Sequence, residues 1–140
     1  MLMNCIFCKI IEGEIPAATI FEDDKVVAFL DIAPFEKGHF LVLPKHHAAL
    51  LTDLPEDLLA HTMKIVQKLA ANLLKALPCD GFNVLQNNGT CASQTIPHVH
   101  IHIIPRLNGK PMNWISGSYA SQEELKEMQS RLMFNSSKLK

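Results

Sequence analysis

No stretch of the chain concentrates lysine or arginine; its 140 residues carry 13 basic and 14 acidic side chains, a formal charge of −1. Nucleic acid and anionic membrane surfaces both require a basic field, so neither is expected as a main partner. A mononucleotide is not excluded, because helix ends and backbone N–H groups hold phosphate without a basic patch. No apolar run approaches the roughly 20 residues of a membrane span. The first residues, Met1-Leu-Met-Asn-Cys-Ile-Phe-Cys-Lys, have no basic region and no cleavage-site pattern, so no secretory signal is read there. The expected setting is the cytoplasm, with Cys5, Cys8, Cys79 and Cys91 reduced and serving as metal ligands or core residues. Repeats, low-complexity tracts and interdomain linkers are missing too. A length of 140 residues with 48% apolar content suits one domain, 1–140, with a real core.

Local patterns supply the elements. Cys5 to Glu12 suits one or two helical turns closed by Gly13 and Pro16. Residues 19–22 and 25–31 flank the acidic pair Asp23-Asp24 and predict a β-hairpin. Residues 39–43 read as an apolar strand stopped by Pro44. A long helix follows, capped by Thr52 or Asp53, with Pro55, Glu56 and Asp57 in its first turn. Leu59, Met63, Val66, Ala70, Leu73 and Leu77 recur along it at helical spacing, and Pro78 ends it. Residues 82–86 form a strand, Asn87-Asn88-Gly89 a turn, and residues 97–104 the last long strand. Ser121 and Glu124 match a capping box opening a final helix. The sum is an α+β fold: a mostly antiparallel five-stranded sheet with one long helix and short terminal helices.

Residues 98–104 read His-Val-His-Ile-His-Ile-Ile. On a strand alternate side chains share a face, so His98, His100 and His102 point one way and Val99, Ile101 and Ile103 enter the core. The outer two histidines would be about 13 Å apart at the backbone. Metal–nitrogen bonds are only ~2.1 Å, so these two can hardly meet on one ion. Three different roles in a row is the better reading.

This segment resembles the defining motif of the histidine triad superfamily. Cys5-Ile-Phe-Cys-Lys-Ile-Ile-Glu-Gly-Glu-Ile-Pro, Phe21-Glu-Asp-Asp, Ala28-Phe-Leu-Asp-Ile and Gly38-His-Phe-Leu-Val-Leu-Pro-Lys-His-His resemble its nucleotide-binding, Hint-type branch. The match runs in family order over roughly residues 4–106. The tail, 107–140, matches weakly, chiefly at Met112 and Trp114.

The resemblance implies that His100 attacks the α-phosphorus of a purine nucleotide and that water resolves the nucleotidyl-histidine. Imidazole suits this role, being largely neutral at pH 7 and able to exchange protons there. Phosphate contacts fall to His102, Asn87 and Thr95, with Gln94 where the loop approaches the phosphates. His39 supports the triad, so His39, His98, His100 and His102 make up the candidate catalytic set. Asp31 matches a carboxylate that accepts the ribose hydroxyls, and Phe7, Ile10, Phe29 and Ile32 wall the base and sugar pocket. Ser93 stands where the family usually has a glycine, which lets a backbone N–H approach phosphate closely; its hydroxyl is the expected substitute.

Several bacterial-type triad proteins hold structural zinc through four positions, and the resemblance places Cys5, Cys8, His47 and His98 there, with His46 adjacent. A redox dithiol would need a thioredoxin-like βαβ context, which is absent. Cys79 and Cys91 receive no role, and no organic cofactor is expected. The implied activity is that of a phosphoramidase-like hydrolase or transferase. Dinucleoside polyphosphate hydrolysis, or non-catalytic nucleotide binding or scaffolding, would use the same residues. The resemblance also implies a homodimer, with the long helix and the strand at residues 97–104 pairing across a two-fold.

Overall fold

The computed structural model describes residues 4–139. Its strands are β1 Thr19–Glu22, β2 Val26–Leu30, β3 Phe40–Pro44, β4 Gly81–Gln86 and β5 Ile101–Arg106. Its helices are α1 Ile6–Ile11, α2 Glu56–Ala76 and α3 Gln122–Leu132. The strands form one antiparallel sheet in the order β1-β2-β3-β5-β4. No described helix is long and apolar enough to cross a membrane.

Every residue of β2 and β3 is buried, because both faces of these strands are covered. Val26, Ala28, Leu30, Phe40, Val42, Ile101 and Ile103 cluster with Ile65, Val66, Leu69 and Leu73 of α2. Val27, Phe29, Leu41 and Leu43 alternate to the other face and pack with Cys5, Phe7 and Cys8. Full burial of one such apolar side chain contributes roughly 1.5–3 kcal/mol. The functional face is this second one, covered by α1 rather than by the long helix.

Four details differ from the sequence-based expectation. The buried stripe of α2 is Thr62, Ile65, Val66, Leu69, Ala70 and Leu73, whereas Met63 is 43% exposed. The α2 cap is neither Thr52 nor Asp53. Leu54 precedes a proline and takes an extended conformation (φ −79, ψ 140). Leu51–Asp53 therefore forms its own 3-10 turn and Pro55 stands at the N-cap. At α3, Ser121 Oγ accepts from the Glu124 N–H, but the Glu124 carboxylate reaches the Ala120 N–H, one residue before the box position.

The fourth difference concerns the histidines. β5 begins at Ile101 rather than at residue 97. Pro97 has no N–H to give, the His98 N–H bonds to the Ile96 carbonyl, and the Val99 N–H bonds to the Ala48 carbonyl. These residues continue the alternation without joining the ladder. β5 also lies between β3 and β4, so it has no open edge with which to pair across a two-fold; the sheet edges are β1 and β4.

One glycine fixes the entry to β3. Gly38 has φ +98, and a Cβ there would stand 2.7 Å from Leu77 Cδ1. Its N–H donates to the Tyr119 hydroxyl at 3.0 Å. This turn delivers His39 to the start of the strand.

Candidate active site

His102 is the second residue of β5 and lies opposite Leu41 of β3. His39 immediately precedes β3, which makes it a diagonal neighbour of His102 across the ladder. The two rings meet, Nε2 of His39 to Nδ1 of His102, at 2.9 Å. His100 lies beside His102 with ring centroids 4.9 Å apart, and Phe7 packs edge-on against it at 5.0 Å.

Burial disfavours the charged form of every one of these rings. It lowers the pKa of His39 and His98 to about 4 and that of His102 to about 3, and holds His100 below the ordinary histidine range. At neutral pH each ring therefore carries one proton, and its hydrogen-bond partners decide where. His100 Nδ1 is 2.7 Å from the His98 carbonyl. A carbonyl only accepts, so that nitrogen holds the proton and Nε2 is bare. The Phe35 N–H donates to His39 Nδ1 at 3.1 Å, which places the His39 proton on Nε2. That N–H donates to His102 Nδ1, leaving the His102 proton on its own Nε2. The two neighbouring rings thus have opposite tautomers: His100 offers a lone pair and His102 offers an N–H.

Asp31 lies beside this pair. Its Oδ1 accepts from the Ala33 N–H at 2.9 Å, and its Oδ2 is 3.7 Å from His39 Nε2. Asp31, His39 and His102 bring three potential ligand atoms together. Because the Phe35 N–H keeps His39 protonated on the shared nitrogen, that nitrogen is spent on the hydrogen bond to His102, and Asp31 stands beside the pair as a nearby carboxylate.

Two cavities meet at Asp31, Thr95 and His102. The first, about 260 Å³, is walled by Phe7, Ile10, Phe29 and Ile32, with His100 lining it as well. The second, about 570 Å³, takes Asn87 and Ser93 together with Phe35, Leu85, Trp114 and Ser116. Sequence reasoning missed Ile6, Ile15, Pro16, Ala17 and Ile96 in the first, and Phe35, Leu85 and Ser116 in the second. Ile6, Ile15 and Pro16 stand inside the quoted N-terminal motif and Ala17 directly follows it, so that motif was the available signal. Nothing local marks Phe35 or Ser116, because they are assembled by tertiary contacts.

Gln94 is placed elsewhere. It lines neither cavity; its Oε1 accepts from the Gly89 N–H at 2.6 Å and its Nε2 donates to the Ala49 carbonyl at 2.7 Å. With both ends of the amide held, its side chain braces the loop. Ser93 has φ 69 and ψ 23, a left-handed conformation that costs a side chain of this kind roughly 1–2 kcal/mol. A glycine at this position therefore serves the turn as much as any phosphate contact.

At the start of the triad the side chains take another direction. His98 is fully buried, and its Nε2–H donates to the Pro44 carbonyl at 2.8 Å. Its bare Nδ1 faces Cys5 Sγ at 3.4 Å, Cys8 Sγ at 3.7 Å and His47 Nδ1 at 3.2 Å, and Cys8 Sγ is 3.3 Å from His47 Nδ1. All four ligand atoms lie within 4.8 Å of one another. A tetrahedron built on bonds of ~2.1 Å to nitrogen and ~2.3 Å to sulfur has edges of about 3.4–3.8 Å. The donor set, the spacing and the tautomer of His98 all fit a tetrahedral dication. His46 does not belong to this cluster.

The sequence pattern of the HIT domain family matches residues 12–109. A HIT-like protein of Methanocaldococcus jannaschii is 52% identical over 105 residues, covering 75% of this chain and 81% of its own. The adenosine 5′-monophosphoramidase of Schizosaccharomyces pombe is 45% identical over 129 residues, with 90% of this chain and 93% of its own covered. Among solved structures, a zinc-bound histidine triad family protein from Mycobacterium smegmatis superposes with a TM-score of 0.83 at 37% identity, over 93% of this chain and 94% of that one. Sequence, fold and the clustered histidines agree, and the chain belongs to the HIT domain family, in its Hint-type branch.

Proposed function

We propose that the protein hydrolyses purine nucleoside phosphoramidates through a covalent nucleotidyl intermediate on His100. The observation that carries this reading is the tautomer pair: a bare Nε2 on His100 beside a protonated Nε2 on His102. The name of the fission-yeast relative supports the choice of substrate. The first cavity takes the nucleoside, with Asp31 placed to accept from ribose hydroxyls. His100 Nε2 attacks phosphorus, and the amine departs with the electrons of the P–N bond and takes a proton from water. His100 becomes imidazolium-like in the intermediate, and the His98 carbonyl on its Nδ1–H stabilises that charge. His102 donates to a phosphoryl oxygen, held at the right angle by His39. Water then attacks phosphorus, nucleoside monophosphate leaves, and His100 returns to its neutral form. One water is consumed overall. Incubation with adenosine 5′-phosphoramidate is expected to release AMP and, after an acid-free quench, to give an adenylyl adduct on the peptide containing His100. AMP binding without any release would instead identify a non-catalytic nucleotide-binding protein.

A structural zinc ion belongs to the same proposal, held by Cys5, Cys8, His47 and His98. When bound it supplies a cross-link and cancels the charge of two buried thiolates; it takes no part in the phosphoryl chemistry. A cytoplasmic setting, where thiols stay reduced, belongs to the same proposal.

The proposed assembly is a homodimer, joined through β4 rather than β5. Phe82 and Val84 of β4 are 37% and 47% exposed, as are Met63 and Leu74 of α2 at 43% and 45%. Phe82 and Val84 lie opposite Pro105 and Ile103, on the face that α2 covers. An apolar edge strand of this kind invites pairing. Sedimentation at micromolar concentration should give twice the chain mass, and Val84→Asp should shift it to the monomer. A wild-type monomer would refute the assembly.

A further inference from the structure

We propose that Asn113 and Gly117 are positioning residues that set the protons of His39 and His102 through the Phe35 backbone. The consequence for rate rests on the hydrolase reading above; the placement of the protons does not. Neither residue lines either cavity, so what they do for the reaction passes through other groups.

The control point is the Phe35 N–H, which donates to His39 Nδ1 at 3.1 Å. That N–H and the Pro34 carbonyl belong to one planar peptide and point in opposite directions, so aiming one aims the other. The Pro34 carbonyl accepts from the Gly117 N–H at 2.8 Å. On the other side of the Phe35 Cα, the Phe35 carbonyl accepts from Asn113 Nδ2 at 2.8 Å. Both peptide planes that meet at Phe35 are therefore held by one segment. Donation to the Pro34 carbonyl also polarises its peptide, which makes the Phe35 N–H a stronger donor. The Phe35 ring stacks on that of His39, with 5.3 Å between centroids and 19° between planes, and this fixes the plane of the imidazole. The N–H then selects which nitrogen stays bare. Asp31 Oδ2 is 3.7 Å from His39 Nε2, beyond hydrogen-bond reach, and biases the same choice only through its charge.

The packing of the segment suits this task. A Cβ at Gly117 would stand 3.2 Å from the Pro34 carbonyl oxygen, so glycine is what lets the backbone come this close. Asn113 is locked from several directions. Its Oδ1 accepts from the Ile115 N–H at 3.0 Å, and its Nδ2 also donates to the Ile115 carbonyl at 3.1 Å. Its own carbonyl accepts from Arg106 Nη1 at 2.9 Å, and Arg106 Nε donates to Asn83 Oδ1 of β4 at 2.8 Å, which ties the segment to the sheet. Were the Phe35 N–H to turn away, the His39 proton would be free to move to Nδ1. His39 Nε2 would then be a bare acceptor 2.9 Å from His102 Nδ1, and His102 would move its own proton to Nδ1 to meet it. The His102 Nε2 would be left bare, with nothing to donate to a phosphoryl oxygen. The two rings change tautomer together, so a hold on one backbone N–H governs both.

Gly117→Ala and Asn113→Asp test the link. The first sets a methyl group against the Pro34 carbonyl. The second keeps an acceptor for the Ile115 N–H but has nothing to donate to the Phe35 carbonyl. Nitrogen NMR of the imidazoles reads the protons directly. In the wild type Nδ1 of His39 and of His102 should both be unprotonated, and in each variant both should shift together toward the protonated range. Single-turnover AMP release from adenosine 5′-phosphoramidate should fall roughly tenfold, part of what losing a phosphoryl donor costs, while AMP affinity holds within about twofold. In a His102→Ala background the same substitutions should cost less than about twofold, because the donor they serve is gone. A merely structural role would cost the same factor in both backgrounds. Unshifted rings in both variants, equal losses in the two backgrounds, or a wild-type rate in both variants would overturn the proposal. A protonated His39 Nδ1 in the wild type would overturn it whatever the variants do. A wild-type protein that releases no AMP would remove the hydrolase reading alone, with the ring assignments still deciding what sets the protons.

Discussion

Replacing His100 with alanine is expected to lower turnover of an adenosine phosphoramidate by on the order of 10³-fold or more, with AMP still bound. Two features of the site support so large an effect. The His100 ring is the one whose lone pair faces the cavity, because the His98 carbonyl holds the proton on Nδ1. Among the described residues of the triad cluster no other bare imidazole nitrogen is placed to replace it: His102 Nδ1 and His39 Nδ1 are both accepting hydrogen bonds, and His98 Nδ1 is turned toward the cysteines. Nucleotide affinity should largely survive, because Phe7, Ile10, Phe29 and Asp31 supply much of the wall of the cavity proposed for the nucleoside, which His100 only completes. His102→Ala should be impaired less, losing one donor to a phosphoryl oxygen, a change typically worth 10²–10³ in rate. The measurement is single-turnover release of AMP beside an equilibrium titration with AMP. Wild-type turnover in His100→Ala would end the covalent mechanism.

Much of this site was legible from side-chain alternation alone. A period of two placed Val99, Ile101 and Ile103 in the core and the histidines opposite them, whether or not the backbone joins a ladder. Strand limits are decided by where N–H and carbonyl groups find partners, and Pro97 and the Ala48 carbonyl lie outside any local pattern. The same limit explains α2. Apolar spacing found the helix, but Met63 and Ile65 are alternative starts for the stripe, and only packing on the sheet chooses between them. Gln94 illustrates the converse error. Its place in the loop was read correctly, but an amide has two ends, and the fold uses both on backbone groups that sequence proximity does not reveal.

The tautomers lay beyond sequence reasoning altogether. They depend on one backbone N–H, that of Phe35, and two carbonyls, those of His98 and Pro44. Resemblance grouped His39 with the triad but could not give the direction of the hydrogen bond it makes. Ser116 was hidden for another reason, and Trp114 was legible only as a match in the tail, without a role. Their segment follows the last strand without a periodic pattern, and tertiary contacts bring it to the site, among them the bonds from Asn113 and Gly117 to the turn before His39.

Protein purified without chelator is expected to carry one equivalent of zinc, and stripping it should lower the melting temperature by roughly 10 °C. The argument begins with the protons. His98 Nε2 donates to the Pro44 carbonyl, so its Nδ1 is bare and stands 3.2 Å from His47 Nδ1. Two bare nitrogens at that distance repel, so either His47 carries a proton between them or a cation occupies the space. Cys5 and Cys8 are both buried, at 4% and 1% exposure, on the same space. Buried thiolates are costly when unpaired, and a dication neutralises both while satisfying both nitrogens. The ion would tie the start of α1 to His47, just beyond β3, and to His98, just before β5. His98 is also the residue whose carbonyl orients His100. A preformed cluster backed by Val27, Phe29, Leu41 and Leu43 does not depend on metal for its whole fold, so the loss should be about 3–5 kcal/mol rather than the 10–16 kcal/mol of metal-dependent fingers. At 2–4 °C per kcal/mol for a chain of this size, that is the stated shift. Cys8→Ser should reproduce it, with zinc content falling together with stability. Metal analysis, thiol titration and thermal melting decide the matter together: less than a tenth of an equivalent of zinc, with both thiols titrating freely in the folded protein, would mean that the four side chains form an ordinary hydrogen-bonded core.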